Sequence, residues 1–398
     1  MLRAALVMVA TPLAMLGCHA QGSVTSAANR VASAPASSSP TSAGAAARAT
    51  KIGVADERSC AIVEGGDVKC WGLLFDDDDE RMLLTPTTIG AVGDRTIDGA
   101  PIDLAIGSDH SCVLLAHGGV RCWGSNEFGE LGDGTHEKAL FPTANPGLAD
   151  AVQVSVGSHF TCARRSNGAV VCFGRNVHDE LADGTVAERD TPTLAPSLSG
   201  ALRLSTSGSR GVAIDPNGQL LLWGGWHQTP TFVATLVALL PGTPLDAPPR
   251  AIDVVASVTH ACALLSDGTV RCWGDNEFGE LGDGTDVSER DTPTPVLGLS
   301  HVTQIAVGGG PSCARLADGR ARCWGNDNYG QLGDGLFTAR ATPAPVAGLE
   351  HVQQIAIAGS HACALLDEGR VECWGSNISG ELGDRTRKNR EVRGPVLW

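Results

Sequence analysis

A Trp-Gly or Phe-Gly pair recurs at Trp71, Trp123, Phe173, Trp223, Trp273, Trp324 and Trp374, with successive spacings of 52, 50, 50, 50, 51 and 50 residues. A period of about fifty residues decides the architecture before any local reading, because one small unit cannot bury its own apolar face and must stack against its copies. The clearest copy runs Ile252-Asp253-Val254-Val255, Ala261-Cys262-Ala263-Leu264-Leu265, Asp267-Gly268, then Val270-Arg271-Cys272-Trp273-Gly274. Asn276-Glu277-Phe278-Gly279-Glu280-Leu281-Gly282-Asp283-Gly284-Thr285 and Thr292-Pro293-Thr294-Pro295-Val296 follow. Each copy thus holds three or four short apolar strands separated by Asp-Gly and Gly-rich turns. Fifty glycines and 21 prolines in a chain that is 42% hydrophobic fit such an array and disfavour long helices. Seven copies predict an all-β, seven-bladed propeller with four-stranded blades, since propellers use about four to eight blades of this length. An open β-solenoid is the alternative. The first copy starts at Lys51-Ile52-Gly53-Val54 and the last ends at Gly394-Pro395-Val396-Leu397-Trp398, so the propeller is expected over 51–398. The two chain ends are expected to share a blade, sealing the ring without a long free edge.

The Cys-Trp-Gly and Asn-x-x-Gly-x-Leu-Gly-Asp-Gly elements of these copies resemble the repeat of the regulator of chromosome condensation family. The resemblance covers about residues 51–398 and implies the same seven-bladed propeller with four-stranded blades. Relatives of this architecture include a nuclear nucleotide-exchange factor for a small GTPase and a secreted inhibitor of β-lactamases. The first role fits poorly with an export signal and an acidic surface.

Of 13 cysteines, twelve fall in pairs ten residues apart: Cys60 with Cys70, Cys112 with Cys122, Cys162 with Cys172, Cys262 with Cys272, Cys313 with Cys323, and Cys363 with Cys373. Across a short hairpin this spacing sets the two directly opposite, at a separation a disulfide spans. Six intra-blade disulfides in an oxidising compartment follow, with reduced core thiols or zinc as alternatives. The copy at Trp223 carries Val212 and Leu222 at the paired positions, so both cysteines are lost together. A zinc site would need four convergent ligands, which such pairs do not supply.

At the start of the chain an apolar run from Ala4 to Leu16 follows Arg3 and closes with Met15-Leu16-Gly17-Cys18. It is too short to span a bilayer and reads as a secretory signal over residues 1–17. Cys18 at its end resembles the lipobox cysteine of bacterial lipoproteins, although Met15 and Leu16 depart from the usual residues there. A plain cleaved signal is the alternative. Residues 18–50 are Ala, Ser, Thr, Gly and Pro with few large apolar side chains, the composition of a disordered tether with an end-to-end distance of about 30 Å. The chain is therefore expected outside the cytoplasm: lipid-anchored at a bacterial outer membrane or cell surface, or in the periplasm, and monomeric. Its membrane contact would be the lipid alone. A formal charge of −15, from 29 basic and 44 acidic residues, excludes nucleic acid as a natural partner.

Two residues before each first Cys, or its Val212 equivalent, the copies show Arg58, His110, Phe160, Arg210, His260, Pro311 and His361. Three histidines in register invite a metal, but ring symmetry spreads them around the axis, so hydrogen bonding is the expected duty. The Asp of each Leu-Gly-Asp turn, at Asp133, Asp183, Asp283, Asp334 and Asp384 (Leu-Ala-Asp in the third copy), is expected to hold its own turn. The acids at 76–80 read as a solvated loop, with calcium as the lesser alternative.

A site for an asymmetric partner must lie where copies disagree. After Trp71 the usual turn gives way to Leu73-Leu74-Phe75, and after Trp223 to Gly225-Trp226-His227. In the regular copies the variable pairs Glu127-Phe128, Val177-His178, Glu277-Phe278, Asn328-Tyr329 and Ile378-Ser379 share one propeller face. Phe75, Phe128, His178, Trp226, His227, Phe278 and Tyr329 are the candidate partner-binding residues. Trp226 and Trp398, the two Trp outside the repeat register, are the Trp with the most scope for exposure, against packing on a loop, and the rings of the variable pairs either meet a partner or fill the gap beside the neighbouring blade. The chain offers no Gly-x-Ser-x-Gly elbow, His-Glu-x-x-His helix or Walker loop. No catalytic, cofactor or metal set is therefore assigned. The reading is a binding scaffold for a protein or envelope polymer, with an extracytoplasmic polysaccharide lyase or hydrolase as the alternative.

Overall fold

The computed structural model describes residues 47–75, 80–90, 97–226, 235–237 and 249–398, and gives the backbone alone for Phe75, Glu80, Arg81 and 235–237. The expected export signal, Cys18 and residues 18–46 of the expected tether lie outside these residues, as do 76–79 and His227, while Ala49 and Thr50 already belong to the first strand. Among the described residues the chain forms 28 strands in seven four-stranded antiparallel sheets, at 49–90, 101–144, 151–194, 203–237, 251–295, 302–345 and 352–395. The first strand of each sheet touches the first strand of the next, and Ala49–Ala55 touches Val352–Ile357, which closes a seven-bladed ring.

Each blade is four consecutive strands, which corrects the expectation of a shared blade. The first strand begins at Ala49, so the opening blade is complete by itself and the first and last blades meet across a blade boundary. There Ala49, Ile52, Ala61 and Trp71 pack with Leu365, Val371, Leu382 and Val396. The ring of Trp398 stands edge-on to Trp71 at 6.0 Å. Gln354 Nε2 donates to the Ile52 carbonyl at 2.7 Å, and the Ile52 N–H donates back to Gln354 Oε1 at 3.0 Å.

The cysteines of each pair are register partners across the second and third strands, with Cα atoms 4.1 Å apart, and all six pairs are disulfides. Val212 and Leu222 occupy the same paired register in the fourth blade. Six disulfides belong to an oxidising, extracytoplasmic setting. The residue after Cys points to the opposite sheet side, and Trp71, Trp123, Phe173, Trp223, Trp273, Trp324 and Trp374 are all buried against a neighbouring blade. The Gly that follows is required by crowding. Gly124 has φ +114, and a Cβ there would lie 2.4 Å from the Asp109 carbonyl oxygen.

Between regular blades the seam repeats. A leucine from the turn after the third strand (Leu131, Leu181, Leu281, Leu332 or Leu382) packs beside the next blade's Phe173, Trp223, Trp324, Trp374 or Trp71. The residue before that leucine offers its backbone carbonyl to the indole: Glu180 to Trp223 at 2.9 Å, Glu280 to Trp324 at 2.7 Å, Gln331 to Trp374 at 2.8 Å and Glu381 to Trp71 at 2.6 Å. Where the first and fourth blades lack this turn, Trp123 Nε1 and Trp273 Nε1 are buried without a hydrogen-bond partner among the described residues.

Each disulfide closes a loop worth about 2–3 kcal/mol in the chain-entropy model. Reductant is therefore expected to lower the melting temperature, and an unchanged curve with twelve titratable thiols contradicts the pairing. Replacing Trp by Phe removes the same volume at each seam but a hydrogen bond only where one exists. Trp374→Phe is expected to cost about 1–3 kcal/mol more than Trp273→Phe in denaturant unfolding. Equal costs would show that the carbonyl bond contributes nothing.

Candidate functional site

In the five regular blades the loop joining first and second strands and the long loop after the third strand lie at one end of the blade. Ser125 N–H donates to the Asp109 carbonyl at 3.0 Å and Arg175 N–H to the His159 carbonyl at 2.9 Å, which fixes the two loops side by side. On the axis, the ends of all seven first strands surround a cavity of about 140 Å³ lined by small residues, Gly157, Gly208, Ser257, Gly308 and Ala358 among them. Among the described residues its lining supplies one carboxylate, Asp56, whose Oδ1 is 3.4 Å from the Gly359 N–H.

Each long loop is held from inside. Asn126 Oδ1 accepts the Leu131 N–H at 2.9 Å while Nδ2 donates to the carbonyls of Thr135 and Glu137, and Asn176, Asn276 and Asn377 repeat the first bond. In the sixth blade Asp327 Oδ1 takes that role for Leu332 at 2.9 Å. Glu130, Glu180, Glu280 and Glu381 turn a carboxylate oxygen back onto the N–H of Phe128, His178, Phe278 and Ser379 at 2.6–2.8 Å. Asp133, Asp183, Asp283 and Asp384 each accept the N–H and the hydroxyl of the Thr two residues on, so they serve their own turns. The Glu residues before Leu were not singled out by the sequence reading, although their recurrence in register was the available signal.

The histidines do not converge. Each is fully buried at a different seam, and its Nε2 meets a hydroxyl of the next blade: His110 with Thr161 at 2.7 Å, His260 with Ser312 at 2.6 Å, and His361 with Ser59 at 2.8 Å. That hydroxyl donates its proton to the Glu carbonyl of the turn, at 2.9 Å to Glu130, 3.0 Å to Glu280 and 3.0 Å to Glu381. With its proton so committed, the hydroxyl accepts from histidine, which sets the Nε2–H tautomer. No group of three or more potential metal ligands occurs among the described residues. Burial pushes His260 down to about 3 and His361 to about 4, and burial with the nearby Arg58 charge pushes His110 to about 3.

The candidate partner-binding residues separate into two groups. Phe278 is 42% and Tyr329 40% exposed, beside Val177 at 42% and Ile378 at 53%. Phe128 is half-buried, with His159 at 5.1 Å and the Arg175 guanidinium 5.9 Å from its ring centre, so it fills the gap beside the next blade. His178 is half-buried, its Nδ1 3.4 Å from Glu180 Oε1. Trp226 and Trp398 are half-buried rather than free. Trp226 lies 6.4 Å from Trp273, beneath the Arg210 guanidinium at 4.9 Å, and donates to the Gly211 carbonyl at 2.8 Å. It takes the place of the missing leucine. The backbone of Phe75 ends a strand of the first blade. Near the axis on the opposite face, Ile102, Val152, Leu202 and Ile252 form a second exposed apolar arc.

The buried histidines make a pH signature. An unfolded chain takes up these protons near pH 6.5, while folded His260 stays neutral down to about 3, so stability rises with pH across that window. Asp179 and Asp327, raised by desolvation to about 6, act in the opposite sense, so the measurement is a difference. The stability gap between wild type and His260→Gln is expected to narrow as pH falls from about 7 to about 4. A constant or widening gap contradicts a neutral buried imidazole.

Two profiles described as the regulator of chromosome condensation (RCC1) repeat match the chain, one at 102–130, 151–179, 251–280, 302–331 and 352–381, the other at 117–164, 267–315 and 318–365. The first blade lies before these matches, and the whole fourth blade falls in the gap between 179 and 251. The probable E3 ubiquitin-protein ligase HERC4 of Homo sapiens is 35% identical over 85 residues, which are 21% of this chain and 8% of that protein. The ultraviolet-B receptor UVR8 of Arabidopsis thaliana is 34% identical over 102 residues, 24% of this chain and 23% of that protein. Among solved structures, Prp20p from Saccharomyces cerevisiae superposes with TM-score 0.70 at 19% identity, covering 83% of this chain and 86% of that one. Human WBSCR16 does so with TM-score 0.67 at 20% identity, covering 81% and 88%. Periodicity, seam geometry and profile thus agree that this chain belongs to the regulator of chromosome condensation repeat family.

Proposed function

We propose that this chain is an exported binding scaffold, tethered through a lipid on Cys18, that recognises a protein partner through the face carrying the long loops. The observation that carries this reading is the treatment of two adjacent positions after the turn Asn or Asp in the regular copies. The turn is locked by buried Asn and Glu side chains, while Val177, Phe278, Tyr329 and Ile378 project outward with 40–53% of their surface open. Apolar anchors on a rigid rim contribute to binding without losing much freedom on association. Glu127, Glu277 and the acidic balance of the chain suit a partner with a basic patch. A fold relative supports the protein-binding role: Prp20 has been solved bound to Kap60, and Prp20p has been studied for binding to Gsp1p and histones. Among the described residues no helix is long and apolar enough to cross a membrane, and the lipid supplies the attachment in this reading.

Capture from the cell envelope under non-reducing conditions tests the face. Phe278→Asp with Tyr329→Asp is expected to lose the captured partner, while Ile252→Asp on the opposite arc keeps it. The reverse pattern would move the site to the other face, and capture of an envelope polymer in place of a protein would overturn the partner class.

A further inference from the structure

The seam between the first and second blades is incomplete. At the seam that closes the ring, Ser59 Oγ and Trp71 Nε1, register partners across two strands, both donate to the one carbonyl of Glu381. Ser312 and Trp324 do the same to Glu280. Ser111 and Trp123 are the equivalent register partners in the second blade, 0% and 4% exposed. Ser111 Oγ and Trp123 Nε1 are both without a hydrogen-bond partner among the described residues. Two buried donors that elsewhere converge on one oxygen therefore stand unmatched at the same place. Leaving each so costs about 1–3 kcal/mol.

The leucine is missing as well. Where Leu131, Leu281 or Leu382 fills the other seams, this one has a cavity of about 110 Å³ whose apolar wall is Leu74, Leu83, Ile89, Trp123, Leu140 and the exposed Phe141, with Arg58, Thr87 and Thr88 on its polar side. An apolar cavity of roughly 150 Å³ takes up a benzene-sized guest, so this one has the size for a single aliphatic side chain. Gly124, Ala139 and Leu140 continue from it into a groove of about 540 Å³ that holds Asn126, Glu127 and His136. The seam between the fourth and fifth blades differs, because Trp226 covers Trp273 there.

We propose that this seam is a receptor for a leucine-bearing turn of a separate protein. The leucine side chain enters the cavity, and the residue before it presents its backbone carbonyl to Trp123 Nε1 and Ser111 Oγ. The molecule's own seams are the template, a Gly-Glu-Leu-Gly turn seated against Ser312 and Trp324. This inference rests on the scaffold reading and names the motif its partner would carry.

The probe is a head-to-tail cyclised peptide copying residues 276–284, Asn-Glu-Phe-Gly-Glu-Leu-Gly-Asp-Gly, titrated into the full oxidised chain. Indole N–H resonances are followed by NMR, with Trp123→Phe identifying its signal. The expected result is saturable binding by about 1 mM that moves the Trp123 indole downfield and leaves the other seven in place. Leu→Ala in the peptide, and Leu140→Trp in the protein, which fills the cavity while keeping Trp123, are each expected to weaken binding tenfold or more. Absence of saturable binding, an equal response to the Ala peptide, or a Trp123 indole already downfield and unmoved, as when water or the chain's own residues fill the seam, would each overturn the proposal. If the peptide fails while envelope capture still depends on Phe278 and Tyr329, the socket alone is wrong. If both fail, the scaffold reading falls too.

Discussion

One backbone carbonyl at each regular seam carries the geometry of this ring. It belongs to the Glu or Gln before the turn leucine, it is buried, and it receives the indole of the next blade, a hydroxyl of the next blade, or both. A buried donor left alone is costly, so a seam with a Trp or a Ser but no carbonyl is unfavourable. The leucine beside it adds apolar burial of about 1.5–3 kcal/mol per seam. Disulfides act at another level: they hold the hairpin inside a blade and do not cross between blades. Blade stiffness and ring closure are therefore separate contributions.

The histidines belong to the same device. His110, His260 and His361 occur one blade before Thr161, Ser312 and Ser59, whereas Phe160 and Pro311 precede Gly211 and Ala362, which have no hydroxyl. Imidazole and hydroxyl come and go together because each satisfies the other in a site closed to water. Arg58 breaks the rule, standing before Ser111, and its guanidinium turns to the carbonyls of Gly107 and Ser108 instead. The exception falls at the seam that lacks its turn, where the ring is least like itself.

Much of this was legible in the residues. Trp-Gly spacing fixed seven units, the cysteine interval fixed the hairpin register, and Val212 with Leu222 marked a core position where no ligand was needed. The seam was not legible, because its central acceptor is a main-chain atom that any residue carries. Side-chain identity betrays it only indirectly, through the pairing of histidine with hydroxyl across a fifty-residue gap. The blade boundary was misplaced for a related reason. A partial Pro-x-Pro-Val match at the end of the chain reads as a borrowed strand, whereas Arg390–Pro395 completes its own blade and Val396 and Trp398 pack on the first. For Phe128 and Trp226 the residues left partner binding and packing both open, and the neighbouring blade claims much of each surface.

Symmetry therefore explains the fold, and its two failures mark where function is to be sought. The first and fourth blades lack the turn sequence that the other five use to lock their neighbours, and each leaves an indole donor unmatched among the described residues. Hydrogen exchange of the eight indole protons in the free, oxidised chain tests this claim most directly. The account predicts slow exchange and downfield shifts for Trp71, Trp223, Trp324 and Trp374, with Trp123 and Trp273 set apart as unbonded. Uniform protection and shift across all six would contradict it.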